Sequence, residues 1–171
     1  LLDLCCGNGA LTTHWFGRCA GGLGVDFSPT LVEVAQEDFV HRPVECFRLE
    51  DVVAFAERPA AEPFDKAMLY GSMQYLVPGQ LGRVLAGVRR NHPSIRRFVI
   101  GNVPDKDTEP AFRGDRPPTP LDDPDSPIGV WWSQAELAAL ATRAGWRVEL
   151  RRMPTVFYAR HYRFDALLLP A

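Results

Sequence analysis

No stretch of this chain approaches the roughly 20 consecutive apolar residues of a membrane-spanning helix. No basic-then-apolar leader marks a secretory signal either. No membrane partner is therefore expected. Lysine is scarce: of 19 basic residues, only Lys66 and Lys106 are lysines. Against 21 acidic residues this leaves a formal net charge of −2. Such a balance supplies no broad electrostatic drive toward nucleic acid or an anionic bilayer. Cysteine is confined to Cys5, Cys6, Cys19 and Cys46, with no Cys-x-x-Cys zinc spacing. These read as buried, reduced thiols in a cytoplasmic protein, and no metal site is expected. Internal repeats and a second compositional region are also missing. The 171 residues, 46% hydrophobic and 23% charged, suffice for one domain, 1–171, with a sizeable core.

What is present begins at the first residue. Leu1-Leu2-Asp3-Leu4-Cys5 is an apolar run that leads into Cys6-Gly7-Asn8-Gly9, and Ala10 to Gly17 then reads as a helix. Glycine lets a ligand approach the backbone, and the free N–H groups of a helix start favour electron-rich atoms. The turn suits a nucleotide or nucleoside-like ligand, or is simply a tight strand-to-helix connection. A dinucleotide fingerprint needs a third glycine, and position 12 is Thr. Asp26 ends a second apolar run, Gly22 to Asp26, where an acid accepts hydrogen bonds from a ribose diol.

With these residues in place, the chain resembles the class I S-adenosylmethionine-dependent methyltransferases. Asp3-Leu4-Cys5-Cys6-Gly7-Asn8-Gly9 is similar to that family's first motif, acid-x-Gly-x-Gly-x-Gly, with Cys5 where the first glycine is common. The resemblance runs over nearly the whole chain. It implies a Rossmann-like α/β fold, with a mostly parallel seven-stranded sheet and a terminal antiparallel hairpin. It implies S-adenosyl-L-methionine as cofactor, held by Asp3, Gly7, Asn8, Gly9, Asp26 and the adjoining Phe27. One or two helices precede the first strand in that family. This chain begins without Met, inside a strand, so it is expected to be part of a longer protein.

The remaining elements follow in order. The first helix carries Leu11, Trp15 and Phe16 at near-helical spacing, with a solvated His14. Ser28-Pro29 opens a second helix with the stripe Leu31, Val34, Ala35 and Phe39. Val44 to Leu49 is the third strand. Glu50-Asp51 follows it, and the resemblance implies that Asp51, with Glu50 or Val52 beside it, contacts the adenine; a helix N-cap or solvated loop is the alternative. Residues 52–61 suit a short helix and turn. Phe64-Asp65 opens the fourth strand and matches the family's fourth motif, which implies that Tyr70, Gly71, Ser72 and the following Gln74-Tyr75 lie near the cofactor's amino-acid end. Met73 and Leu76 read as core. Leu81 to Val88 is helical, and Arg97 to Val103 is the fifth strand. Lys106 to Pro127 is irregular and reads as a substrate lid or a disordered linker. Ser133-Gln134-Ala135-Glu136 is a capping box opening the last helix, which Gly145 ends. Trp146 to Met153 and Tyr162 to Leu169 form the closing strand pair.

Methyl transfer from a sulfonium needs proximity and alignment, and a hydroxyl acceptor gains from a general base. His161 is the first candidate base, with Tyr158 or Asp105 as alternatives. Arg160 and Arg163 can hold a substrate carboxylate or phosphate, or pair on the surface with Asp165 or Glu149. The Asn/Asp-Pro-Pro-aromatic motif of amino-methylating DNA enzymes is absent, since Tyr70-Gly71-Ser72-Met73 stands there. A small-molecule acceptor of sugar or natural-product type is the expectation, methylated at oxygen or nitrogen. The segments Gly101 to Asp105 and Tyr162 to Asp165 are similar to small methyltransferases of that kind. A nicotinamide-dependent oxidoreductase and a non-catalytic scaffold domain are the competing readings.

Overall fold

The computed structural model describes residues 1–61 and 63–171. Its strands form one seven-stranded sheet. The first half alternates strand and helix: β1 (Leu2–Leu4), α1 (Ala10–Phe16), β2 (Gly22–Asp26), α2 (Pro29–Asp38), β3 (Glu45–Leu49), α3 (Val52–Glu57) and β4 (Lys66–Tyr70). The second half holds α4 (Pro78–Asn91), β5 (Arg97–Pro104), α5 (Glu109–Arg113), α6 (Gln134–Arg143), β6 (Trp146–Arg152) and β7 (Arg163–Pro170). The order across the sheet is β3-β2-β1-β4-β5-β7-β6. Strands β1 to β5 pair in parallel, and β7 inserts antiparallel between β5 and β6. The sheet is thus the expected one, with the strand order reversing between β1 and β4.

Strand alternation divides the core in two. Leu2, Leu4, Leu23, Val25, Leu69, Phe98, Ile100 and Leu168 point to one face, where α3, α4 and α6 cover them with Val53, Leu81, Leu85, Val88 and Leu137. Phe47 points to the other face and packs with Phe16 of α1 and with Val32 and Ala35 of α2. Small residues make this second layer possible: a side-chain carbon built at Gly22 would lie 2.0 Å from the Phe16 ring, and one at Gly24 would lie 2.5 Å from the Phe47 ring.

Four local expectations are corrected. On α1, Thr12 and Phe16 face inward, while Leu11 and Trp15 stay exposed. On α2, Val32 and Ala35 are buried and Leu31 is exposed, a one-position rotation set by where Phe47 sits. β1 stops at Leu4, because Cys5 takes a left-handed φ of 59°. The irregular stretch from Lys106 contains a 3-10 turn (Lys106–Thr108) and then α5. It is tied down by its own apolar cluster: Trp131, Ala159 and Tyr162 are buried against Phe112, Leu121, Ile128 and Phe157. The N–H of Val130 also donates to the Gln74 carbonyl at 2.8 Å, fixing the returning chain beside the end of β4.

The cysteines are free, but Cys46 is exposed and the other three are half-buried, less enclosed than their sequence context predicts.

Candidate functional site

The carboxyl ends of the parallel strands all lie at one edge of the sheet, where ligands of such folds bind, near the reversal in strand order. At this edge the turn after β1 is built from left-handed residues: Cys5 (φ 59°), Gly7 (φ 58°) and Gly9 (φ 82°). A side-chain carbon at Gly9 would lie 2.8 Å from the Phe47 ring, so that position admits glycine alone. At Gly7 the same carbon would meet no atom within 4 Å. The space over the turn is therefore open to a ligand. Asn8 is exposed at its tip, its Oδ1 accepting the Ala10 N–H at 3.3 Å.

Asp26 organises the neighbouring loop. One carboxylate oxygen accepts the Gly7 N–H at 2.9 Å, and the other accepts the Ser28 N–H at 3.0 Å. Asp26, 7% exposed, thus bridges the turn after β1 to the start of α2. Phe27, beside it, is 73% exposed.

Asp3 has a different character. It is 2% exposed and accepts a hydrogen bond from the Thr12 hydroxyl. Burial pushes its pKa up to about 7; the Thr12 bond opposes this, and the nearby Asp26 adds to it. It supports the turn from beneath. Thr12 is the residue that sequence reasoning treated only as a missing glycine. Burial also raises the Cys5 thiol to about 12 and the Cys6 thiol further, so neither is a thiolate nucleophile near neutrality.

The acids after β3 divide their work. Asp51 is the N-cap of α3: its Oδ1 accepts the N–H groups of Val53 (3.0 Å) and Ala54 (2.9 Å). This is the capping alternative, and it still leaves the second carboxylate oxygen at the edge. Glu50 is ion-paired with Arg58 at 2.8 Å, and Val52 is buried.

Beyond β4, Ser72 joins the two halves of the edge, its hydroxyl donating to the Cys5 carbonyl at 3.2 Å. Gly71 has φ 72° and donates its N–H to the Gly101 carbonyl at 2.9 Å. A 3-10 turn (Met73–Tyr75) follows; it buries Met73 and Gln74 and leaves Tyr75 62% exposed. Leu76 is core, as expected.

Strands β4, β5 and β7 add a cluster whose members the sequence did not bring together. A side-chain carbon at Gly101 would lie 2.3 Å from the Tyr70 ring and 3.1 Å from an Asp165 oxygen, so ring and carboxylate flank that glycine. Asn102 is left-handed (φ 60°) at an irregularity in the β5–β7 pairing, and its N–H donates to Asp165 at 2.8 Å. Burial raises the Asp165 pKa, against the lowering effect of that bond. The Tyr70 hydroxyl is pushed up by burial first, then by the Asp165 and Tyr158 charges, with Arg163 opposing. Arg163 makes neither expected ion pair. Its guanidinium donates to the Gln74 side-chain carbonyl at 3.2 Å and to the Asn102 carbonyl at 2.6 Å. Glu149 pairs instead with Arg147 and Arg151. The signals were an asparagine, which tolerates the left-handed region, after a glycine in a strand, and an acid on the strand that pairs with it.

The candidate bases fall farther along the edge. His161 is exposed, 4.9 Å from the Tyr162 ring and 6.4 Å from that of Phe112. Tyr158 is 79% exposed. Asp105 is buried, accepting from the Gln134 amide at 2.9 Å and the Asp107 N–H at 3.2 Å. His161 and Asp105 line one cavity, together with Arg160 and Arg163. Among the described residues no group of three or more His, Cys, Asp or Glu is placed to hold a metal ion, and no helix is long and apolar enough to cross a membrane.

Comparison with known proteins agrees with this geometry. Residues 1–92 match the family described as methyltransferase domain, more than half of the chain. No curated protein matches. Solved structures do. A Pyrococcus horikoshii OT3 protein, PH0226, is 22% identical, with a TM-score of 0.74 over 99% of this chain and 81% of its own. The magnesium protoporphyrin IX methyltransferase of Synechocystis PCC 6803, with bound S-adenosylhomocysteine, is 16% identical, with a TM-score of 0.73 over 99% of this chain and 73% of its own. A TehB-like SAM-dependent methyltransferase of Corynebacterium glutamicum is 20% identical, with a TM-score of 0.68 over 99% and 79%. These likenesses are of fold, and the family match carries the assignment: the chain belongs to the methyltransferase domain family, whose members use S-adenosyl-L-methionine.

Proposed function

We propose that the chain transfers a methyl group from S-adenosyl-L-methionine to an oxygen or nitrogen of a small molecule. The observation that carries this reading is the continuity of the edge. The Ser72 hydroxyl fastens the end of β4 to the open glycine turn, and Asp26 fastens that turn to α2. In this reading Gly7, Asn8, Gly9 and Asp26 take the ribose and backbone end of the cofactor. Asp51 and Val52 face its adenine, and Tyr70, Gly71 and Ser72 face its amino-acid end. When bound, the cofactor supplies an electrophilic methyl group on a sulfonium. The protein's part is to align the acceptor behind that methyl, keep water away, and take or share the acceptor's proton. His161, Tyr158 and Asp165 are the groups at this edge suited to the last task.

A small acceptor is supported by the polar, mixed-charge lining beyond Tyr70 and by the Tyr70-Gly71-Ser72 sequence in place of a nucleic-acid motif. The Synechocystis protein, named for a porphyrin substrate, is of the same kind. A cytoplasmic setting fits the four free cysteines.

Calorimetric titration with S-adenosylhomocysteine, using NAD as control, tests the cofactor site. Asp26→Asn should weaken S-adenosylhomocysteine by about 1.5–3 kcal/mol, the range for a hydrogen bond to a charged group. Unchanged affinity in the folded variant would remove Asp26 from the site. Binding of NAD in preference to S-adenosylhomocysteine would refute the cofactor assignment.

A further inference from the structure

We infer that the acceptor is a small molecule with a carboxylate or phosphate monoester, and that Arg152 and Arg160 hold that group. This rests on the methyltransferase reading above. The carboxyl ends of β5 and β6, the start of β7 and the turn after β5 enclose a cavity of about 490 Å³ on the ligand-binding edge. That is the size of a small-ligand site. Arg152, Arg160 and Arg163 line it, with His161, Asp105 and Asp107.

The three arginines are not equivalent. Arg163 is engaged with Gln74 and the Asn102 carbonyl, so it forms the partition between this cavity and the Tyr70 edge. Arg152 and Arg160 belong to no ion pair among the described residues. The cavity's own acids, Asp105 and Asp107, are ion-paired with neither. Asp105 is further fixed by its bonds from Gln134 and Asp107. The cavity is therefore lined by both cations and carboxylates, and Arg152 and Arg160 form no ion pair with its acids.

Two unpaired guanidiniums offer forked donors that match a carboxylate or phosphate. The acids in the same lining favour a hydroxyl or amine elsewhere on the ligand, and they repel an extended polyanion such as a nucleic-acid backbone. A single anionic group on a short molecule satisfies both kinds of lining group. The sequence pointed to Arg160 and Arg163; the fold replaces Arg163 with Arg152 as the second anchor, because the β7 start is already hydrogen-bonded to β5.

Side-chain ¹⁵N spectra of the arginine Nε–H groups test this on protein saturated with S-adenosylhomocysteine. The probes are benzoate, phenyl phosphate and the neutral benzamide. Saturable shifts at Arg152 and Arg160 are expected with one or both anions and not with benzamide; the two anions distinguish carboxylate from phosphate. Arg18 and Arg96, at the opposite end of the sheet, should not respond. The double substitution R152Q/R160Q should weaken the anion at least tenfold and leave S-adenosylhomocysteine affinity within about twofold. Benzamide binding equally, responses shared with Arg18 and Arg96, or full anion affinity in the double variant would overturn the inference. S-adenosylhomocysteine affinity is measured separately by calorimetry. A protein that binds it but neither anion defeats this inference and leaves the methyltransferase reading standing.

Discussion

Replacing Asp3 with Asn isolates the energetic consequence of sealing a carboxylate beneath the cofactor turn. Asp3 is 2% exposed, and burial moves its pKa from an ordinary 3.8 to about 7. Between those values the native chain holds a proton that the unfolded chain has released, so stability falls as pH rises through that window. Below about pH 4 both states are protonated and the penalty vanishes; above about pH 7 it is complete. At about 1.4 kcal/mol for each factor of ten in proton affinity, the full penalty is about 4 kcal/mol. From pH 4.5 to pH 8 the wild type should lose about 3 kcal/mol relative to Asp3→Asn, which cannot ionise and still offers Thr12 an acceptor. Urea titrations of both proteins at the two pH values measure this. Comparing the differences cancels the titrating groups that do not interact with Asp3, which leaves the nearby Asp26 as a small residual. Parallel pH dependence in the two proteins would show that Asp3 ionises normally, and the burial argument would fail.

Other perturbations probe the same scaffold. Cys5→Val should destabilise by about 1–2 kcal/mol, because a β-branched side chain is forced to φ 59°, whereas Cys5→Gly should match or exceed the wild type in thermal melts. Trp146→Phe removes the bond from the buried indole N–H to the Leu85 carbonyl (3.0 Å) and should cost about 1–3 kcal/mol in denaturant titration; a smaller loss would mean that water satisfies the carbonyl. Ser133→Ala removes the cap of α6 and should cost about 1 kcal/mol by the same measure.

The site was legible where chemistry is local. Asp3, Gly7, Gly9 and Asp26 sit at the ends of two neighbouring strands or in the turn between strand and helix, so the motif and the family resemblance it carries pointed to the edge they share. The cluster of Tyr70, Asn102, Asp165 and Arg163 was not legible as a unit. Tyr70 comes from β4, Asn102 from β5, and Asp165 and Arg163 from β7. They meet because β7 runs antiparallel beside β5 and because an irregularity at Asn102 turns its N–H toward Asp165. Gly101-Asn102 and Asp165 mark the positions, but which residue of β7 meets Asn102 is set only when the two strands pair.

Apolar runs, glycine turns and helix caps determined the strands, most of the helices and their alternation, since each depends on a few neighbouring residues. The motif residues determined the family. Which face each helix buries was decided by packing: Phe47 and Phe16 fill the space over two glycines, and α1 and α2 rotate to meet them. The tertiary structure also decided that Arg163 is held by Gln74 and the Asn102 carbonyl instead of by an acid. The contact with Asn102 depends on β5 and β7, far apart in sequence, becoming neighbours in the sheet.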